Sequence, residues 1–447
     1  MNGELGDDPT QSEERSSSRQ TAIFCSFLWP KYPGHSGGEI RDFHLLSHLS
    51  SFLDVHAVAS HHAPSVDQKD LLRPRMAAVY QPAPVHQPPT LRPGRISRFR
   101  RFLRKARDRG WPILGFRYHY DAEVHLDGAV SCLPLLCGLI KDHQPDFIIV
   151  SPQINAAGLL LRESTNARVI LASYDVEAIR MQRLAKSETG VTRLALAIEA
   201  RRASRFETDN LRCFDGVIAV SPHDASEFVR RYELDPNRVV AIDNSVDAEY
   251  FDFRPRVDTL IPTITYVGNF GYSPNAQAAI RLLRRIAPRI RQSYPNVVMR
   301  VVGDNPTKQM LAEHDGCSVI VTGRVPDIRA ELALAMAGCF PLLAGSGTKF
   351  KVLECLASGV PLVCSSIALE GLDIIPGEHA LRADTDEAIA AATCALINDK
   401  LERQRLAANA RALIESRYTW TSALAALAPW LARIGSLPKQ NQANGNS

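Results

Sequence analysis

The sequence predicts an α/β protein made of two doubly wound parallel-sheet domains that face each other across a cleft. Three observations predict it. Short apolar runs of strand length alternate with amphipathic helical stretches over residues 21–252, and the same rhythm returns over residues 263–415. Residues 253–262 separate the two series with two prolines, opposing charges and no periodicity, as a domain linker does. In the second series a glycine-rich turn, Gly345-Ser346-Gly347-Thr348-Lys349, stands between a strand-like run and a helix. Such a turn presents free backbone N–H groups and the positive end of a helix dipole.

Composition bounds the reading. A chain of 447 residues holds roughly two or three domains. A hydrophobic share of 45% with 22% charged residues is that of a soluble globular protein. A formal charge of +4 is too mild to argue for nucleic acid. The nine cysteines are scattered and odd in number, and no CxxC pair occurs. That pattern favours reduced, mostly buried thiols in a cytoplasmic protein over a disulfide frame or a zinc site. No apolar run approaches the ~20 residues needed to span a bilayer. Residues 1–20 lack the basic start and apolar core of a signal peptide and read as a disordered tail, as do residues 437–447.

Taken in order, residues 21–27 predict the first strand. Ile40, Phe43, Leu46, Leu49 and Phe52 mark an amphipathic helix, and residues 54–59 the next strand. This βαβ opening puts Gly37 and Gly38 at a helix N-terminus on the ligand-binding edge of the sheet, where glycine allows close backbone approach. Residues 95–107 then form a basic segment in which Phe99, Phe102, Leu103 and Ala106 share one helical stripe. It suits either an anionic membrane surface or a core-packed helix with a solvated face. Strands are expected at 146–150, 168–173, 214–221 and 239–242, with a long helix over 191–210 and another over 222–232 capped by Ser221. Asp175 and Glu177 follow a strand's carboxyl end, where acids either line the crevice or, in the case of Asp175, cap a helix. In the second series, strands are expected at 264–268, 297–303, 318–321, 339–344 and 360–364, with one helix over 276–292. Two further helices, 401–415 and 422–434, close the chain. The last part, 416–436, is expected to pack back on the first domain.

Within the turn at 345–359, Phe350, Leu353 and Ala357 fall at helical spacing, and Gly359 with Pro361 marks the helix end. Lys349 and Lys351 add charge near the helix start, and Glu354 lies three residues after Lys351 on the same side. A phosphate or diphosphate fits this turn, and an acid behind it can accept hydrogen bonds from sugar hydroxyls. The plain alternative is an ordinary βα turn with a solvated Lys–Glu pair.

In the order and spacing of its motifs the chain resembles glycosyltransferase family 4, the retaining sugar-nucleotide-dependent transferases of the GT-B fold. The matching residues are Gly37-Gly38, the run 215–221, Asn244-Ser245-Val246-Asp247, Tyr266-Val267-Gly268-Asn269, Gly303, the run 321–327, the run 345–359, Glu370-Gly371-Leu372 and Tyr418-Thr419-Trp420. The resemblance covers about residues 21–430. It implies a donor nucleotide held mainly by the second domain and an acceptor on the first. It puts Glu354 at the ribose hydroxyls and Gly347, Thr348 and Lys349 at the diphosphate, with Lys351 adding charge. It also puts Gly323, Arg324 and Val325 along the base, Gly268 and Asn269 in the donor site, and Gly37-Gly38 opposite the diphosphate. Asp175 and Glu177 remain acceptor-side candidates. Two positions depart from the family pattern. Ser346 stands where its first glutamate would, and Gly271-Tyr272-Ser273-Pro274-Asn275 replaces its Arg…Lys pair, so that Lys349 and Lys351 would supply that charge.

The function expected from the resemblance is transfer of a sugar from a nucleotide diphosphate to an acceptor hydroxyl with retained anomeric configuration, in polysaccharide or glycolipid synthesis. No cofactor, metal or nucleic acid is implied. The partners implied are the nucleotide sugar, a glycan or lipid-linked acceptor, and peripheral contact with an anionic membrane at its cytoplasmic face. No catalytic base is legible; His35 and His119 qualify only by their place in loops. The rival readings are a non-catalytic sugar-nucleotide or glycan-binding protein, which Ser346 favours, and a nucleotide-sugar epimerase of the same fold.

Overall fold

The structure is a computed structural model that describes residues 19–32, 34, 36–61, 78–80, 122–152, 161, 165–254, 260–344 and 350–439. The basic segment at 95–107, His35, His119 and the turn residues Gly345 to Lys349 lie outside the described residues.

Two parallel sheets carry the chain. The first contains β1 (Thr21–Leu28), β2 (Asp54–His61), β3 (Ala78–Tyr80), β4 (Phe147–Val150), β5 (Arg168–Ala172), β6 (Gly216–Ala219) and β7 (Val239–Ala241). Its order is β3-β2-β1-β4-β5-β6-β7. The second contains β8 (Thr263–Val267), β9 (Val298–Val302), β10 (Val319–Gly323), β11 (Ala337–Phe340), β12 (Leu362–Cys364) and β13 (Leu381–Arg382), in the order β10-β9-β8-β11-β12-β13. Strands β4, β6 and β11 are buried at every position. Helices cover both faces of a parallel sheet, so its central strands read as continuous apolar runs. In each sheet the first strand has its successor on one side and a later strand on the other. These switch points, β1/β4 and β8/β11, open crevices at the strands' carboxyl ends.

Local chemistry accounts for several boundaries. Ser221 caps the helix Pro222–Tyr232, its Oγ accepting from Asp224 N at 3.0 Å. The helix Phe350–Ala357 ends at Gly359, whose φ is +77°. There Gly359 N donates to Leu356 O and Val360 N to Cys355 O, the paired bonds of a left-handed helix end.

Three expectations are corrected. The single helix at 276–292 is broken into Ser273–Arg281, a wide π turn Leu282–Ile286, and Ala287–Ser293. Pro288 lacks an N–H and its ring crowds the carbonyl one turn back, which the wide turn relieves. Asp175 does not cap the next helix, which spans Glu177–Ser187 with Val176 at its N-cap and no capping side chain of its own. Its free N–H groups are met from a distance: Glu207 accepts from Glu177 N at 2.8 Å and Ala178 N at 3.0 Å. The terminal segment forms Trp420–Leu424 and Leu427–Ser436 rather than one helix.

Trp420, Leu424, Leu427, Trp430, Leu431 and Ile434 share a core cluster with Ala22, Phe24, Leu45 and Leu46 of the first domain. Just before the crossing, Arg411 at the end of the long helix Lys400–Arg417 donates to Ala248 O, Phe251 O and Ala357 O at 3.0, 2.9 and 2.8 Å. One guanidinium thus ties the segment between the sheets to the second domain.

Candidate functional site

A cleft of about 600 Å³ lies between the sheets, at the carboxyl ends of β8, β9 and β10 and against the helix that follows β11. Its second-domain wall includes Gly268, Asn269, Tyr272, Asn275, Gly303, Asp304, Arg324, Val325, Lys351 and Glu354. Tyr32, Gly34, Ser36, Gly37 and Ile40 border it from the first domain, and Tyr250 and Phe251 from the connecting segment.

Glycines shape the floor. Gly268 and Gly303 follow β8 and β9 directly, and Gly323 ends β10. A Cβ on Gly303 would stand 1.9 Å from Gly268 O, and its φ of +141° excludes an ordinary side chain in any case. Gly303 N donates to Gly323 O at 3.1 Å, so the three strand ends are locked in one row. That row leaves bare backbone facing the cleft.

Charge enters from the helix after β11. The Lys351 ammonium donates to Asn275 Oδ1, lies 3.4 Å from the Tyr266 hydroxyl and stands 5.3 Å from the centre of its ring. Asn275 in turn donates to Asn269 O at 2.9 Å. Lys351 therefore places a cation against the 271–275 segment, where the sequence carries no basic residue. Glu354, one turn along the same helix, is half-buried at the cleft. Burial pushes its carboxyl up to about 7, with the Lys351 charge pulling the other way. A carboxylate so poorly solvated is a strong acceptor for hydroxyl donors.

The first-domain wall is held by a buried polar cluster. Ser36 and Glu39 form a reciprocal cap at the start of the helix Gly37–Leu49, with Glu39 Oε2 accepting from Ser36 N at 2.8 Å. Arg41 is fully enclosed and donates to Ile242 O, Asn244 Oδ1 and Ala219 O at 2.8, 2.9 and 3.1 Å. Asp42 accepts from Ser26 Oγ at 2.5 Å and the Tyr174 hydroxyl at 2.6 Å, and burial raises its pKa to about 6. These bonds fix the helix whose first residue, Gly37, meets the second domain: a Cβ there would come within 2.9 Å of the Phe350 ring. Tyr32 lies between Phe43, His44 and Tyr250, with ring centroids 5.7, 4.9 and 5.5 Å away. The Arg329 guanidinium covers the Tyr250 ring at 4.0 Å.

Of the residues singled out from sequence, Gly37, Gly268, Asn269, Arg324, Val325, Lys351 and Glu354 all border this cleft. Gly38 lies behind it, against the Tyr174 ring, and Gly323 supports it through its carbonyl. Asp175 and Glu177 stand outside its lining, with Glu177 paired to Arg180. Gly347, Thr348, Lys349 and Ser346 fall outside the described residues. Sequence reasoning missed the aromatic wall of Tyr32, Tyr250 and Tyr272, and Asn275 as partner of Lys351. No local periodicity marks a loop aromatic; only the missing basic pair at 271–275, leading into the helix Ser273–Arg281, offered a signal.

Two family profiles match the chain. One, described as "Glycosyl transferase 4-like domain", covers residues 43–245, and the other, "Glycosyl transferases group 1", covers residues 261–399. The chain belongs to the glycosyltransferase family. Among characterised relatives, it is 24% identical to the phosphatidyl-myo-inositol mannosyltransferase of Mycobacterium leprae over 44% of this chain and 54% of that protein. It is 26% identical to the glycogen synthase of Mycobacterium tuberculosis over 51% of this chain and 56% of that protein. The chain thus matches little more than half the length of either relative. The glycosyltransferase architecture is GT-B, as solved structures of low sequence identity show. The sucrose-phosphate synthase of Thermosynechococcus elongatus superposes with a TM-score of 0.65 at 14% identity, over 93% of this chain and 99% of that one. Anabaena HepE in complex with UDP superposes with a TM-score of 0.60 at 14% identity, over 92% and 100% of the two chains.

Proposed function

We propose that this glycosyltransferase moves a sugar from a nucleotide diphosphate to an acceptor hydroxyl with retention of configuration, in polysaccharide or glycolipid synthesis. The observation that carries the reading is the meeting of Gly37, Lys351 and Glu354 around one cleft with a glycine floor. Each supplies what a nucleotide sugar needs: close backbone approach, a cation for the diphosphate and an acceptor for ribose hydroxyls. The relatives' names agree with it, since one is a phosphatidyl-myo-inositol mannosyltransferase, another a glycogen synthase, and HepE is in complex with UDP.

In this reading Lys351 and the start of the helix Phe350–Ala357 stabilise charge that develops on the leaving diphosphate. Lys351 takes the place of the family's missing basic pair, and Lys349 adds to it. The acceptor, a glycan or lipid-linked sugar, approaches from the side of Asp175 and Glu177, and the donor phosphate helps to take its proton. Ser346 favours a second reading, a binding protein of the same fold without turnover.

A panel of nucleotide sugars tested by thermal shift separates these. A ligand at ~100 times its dissociation constant adds ~2.7 kcal/mol of stability. One donor is expected to raise the melting temperature and, with acceptor present, to release nucleoside diphosphate and yield a product of unchanged anomeric configuration by NMR. Binding without transfer to any acceptor would select the second reading, and an inverted product would overturn retention.

A further inference from the structure

The helix Glu177–Ser187 leaves the carboxyl end of β5, and after a two-residue break the helix Gly190–Leu211 runs back along it. The inner face of the second helix is packed: Leu196, Ala200 and Ala203 are buried together with Met181 and Leu184 of the first. Its outer face is not. Val191, Leu194 and Ile198 are 67%, 63% and 42% exposed and share one helix face, so they form a patch rather than single exposed side chains. Arg201 and Arg205 continue the line at the same three- and four-residue spacing and are exposed. Arg202 borders it, paired to the buried Glu199 at 2.8 Å. Asp209 is the one exposed acid on this arc, at its far end.

The stripe therefore has an apolar half and a cationic half, end to end over about 21 Å at 1.5 Å per residue. A second copy of the helix would have to pack arginines against arginines or against aliphatic side chains. A bilayer with anionic headgroups meets both halves at once: aliphatic side chains enter the acyl boundary while guanidinium groups bind lipid phosphates.

The place of the stripe in the fold adds to this. Its apolar end begins beside Glu188, which accepts from Gln277 Nε2 of the second domain at 3.0 Å. Gln277 is two residues beyond Asn275, which lines the cleft. One turn before Ser187, Arg183 forms a two-bond pair with Glu370 of the second domain, at 2.9 and 2.5 Å. The apolar end of the stripe thus starts close to where the two domains touch beside the cleft.

We infer that the face formed by Val191, Leu194, Ile198, Arg201 and Arg205 docks this protein on an anionic lipid surface. Any link to acceptor delivery rests on the reading of the cleft as a transferase site, but the docking itself does not.

The test is co-sedimentation of the full chain with phosphatidylcholine vesicles and with vesicles of phosphatidylcholine and phosphatidylglycerol, at low and high salt. Binding is expected on the anionic vesicles, weakened at high salt. Leu194→Glu with Ile198→Glu, and separately Arg201→Glu with Arg205→Glu, should each reduce it about tenfold or more. All four positions are exposed, so folding and nucleotide-sugar binding should be unchanged, and thermal shift with UDP-sugars checks both. Undiminished vesicle binding by both double variants would overturn the inference, as would loss only when arginines of residues 95–107 are replaced. Wild-type protein that sediments as a dimer and becomes monomeric in Leu194→Glu would assign the stripe to a second copy instead. Vesicle binding as expected with no response to any nucleotide sugar would leave the docking face standing and remove the transferase reading.

Discussion

Glu354 concentrates the chemistry of the cleft in one side chain. Its folded-state pKa of about 7 lies above the ordinary carboxylate value of 4.5. The folded protein therefore keeps a proton that the unfolded chain has released, so this group's contribution to stability is largest below the unfolded value. It declines as pH rises through about 7. Ribose hydroxyls that donate to the carboxylate reverse the preference, because they favour the charged form. Affinity for a nucleotide sugar, whose diphosphate diester does not titrate here, is expected to rise between pH 6 and 8 by up to about tenfold, following the ionised fraction. Glu354→Gln should flatten that rise and lower kcat/KM by on the order of 1–3 kcal/mol of transition-state stabilisation. Calorimetry across this pH range checks the first, and steady-state kinetics the second. A rise that persists in the Gln variant would place the titrating group elsewhere.

Among the elements, the glycine row at the ends of β8, β9 and β10 has the least tolerance. Gly303→Ala would drive a methyl group into Gly268 O and force a strained backbone angle. We expect a loss of about 3 kcal/mol or more, seen as a lower urea midpoint, together with loss of nucleotide binding. Gly138, inside the helix Ala122–His143, serves as the contrast, because a methyl group added there would meet nothing within 4 Å. Gly138→Ala should leave binding intact and stabilise by about 0.5–1 kcal/mol through helix propensity. Equal effects at the two sites would mean that the row is not a steric lock.

At the scale of the molecule, the two domains meet through few polar contacts beside the cleft among the described residues. The Arg183–Glu370 pair is half-buried on both sides and geometrically two-pronged. Solvent still reaches both partners, so the pair contributes on the order of 1 kcal/mol and Arg183→Ala should move the melting temperature by only a few degrees. It should instead loosen the domains, raising hydrogen exchange along Glu177–Ser187 and broadening small-angle scattering of the free protein. The charge swap Arg183→Glu with Glu370→Arg should restore both. If Arg183→Ala leaves exchange and scattering as in the wild type, the pair does not restrain the domains.

What the sequence determined by itself was the periodic part of the protein. The apolar run Phe147-Ile148-Ile149-Val150 predicts a strand because a strand buried on both faces is apolar throughout, and β4 stands there, buried at every position. Ser221 and Gly359 announce helix ends because their side-chain chemistry and backbone freedom act on neighbours a few residues away. Lys351 and Glu354 were legible as a pair on one helix for the same reason. Tertiary structure alone decided which distant groups meet. That the Lys351 ammonium rests on Asn275 and Tyr266, 76 and 85 residues away, follows from β8 and β11 lying side by side in the sheet. Tyr32 reaches Tyr250 and Glu207 caps a helix 30 residues earlier through packing that leaves no periodic trace. Local spacing encodes what the backbone geometry of one element repeats; contacts between elements depend on how every apolar face in the chain is buried at once.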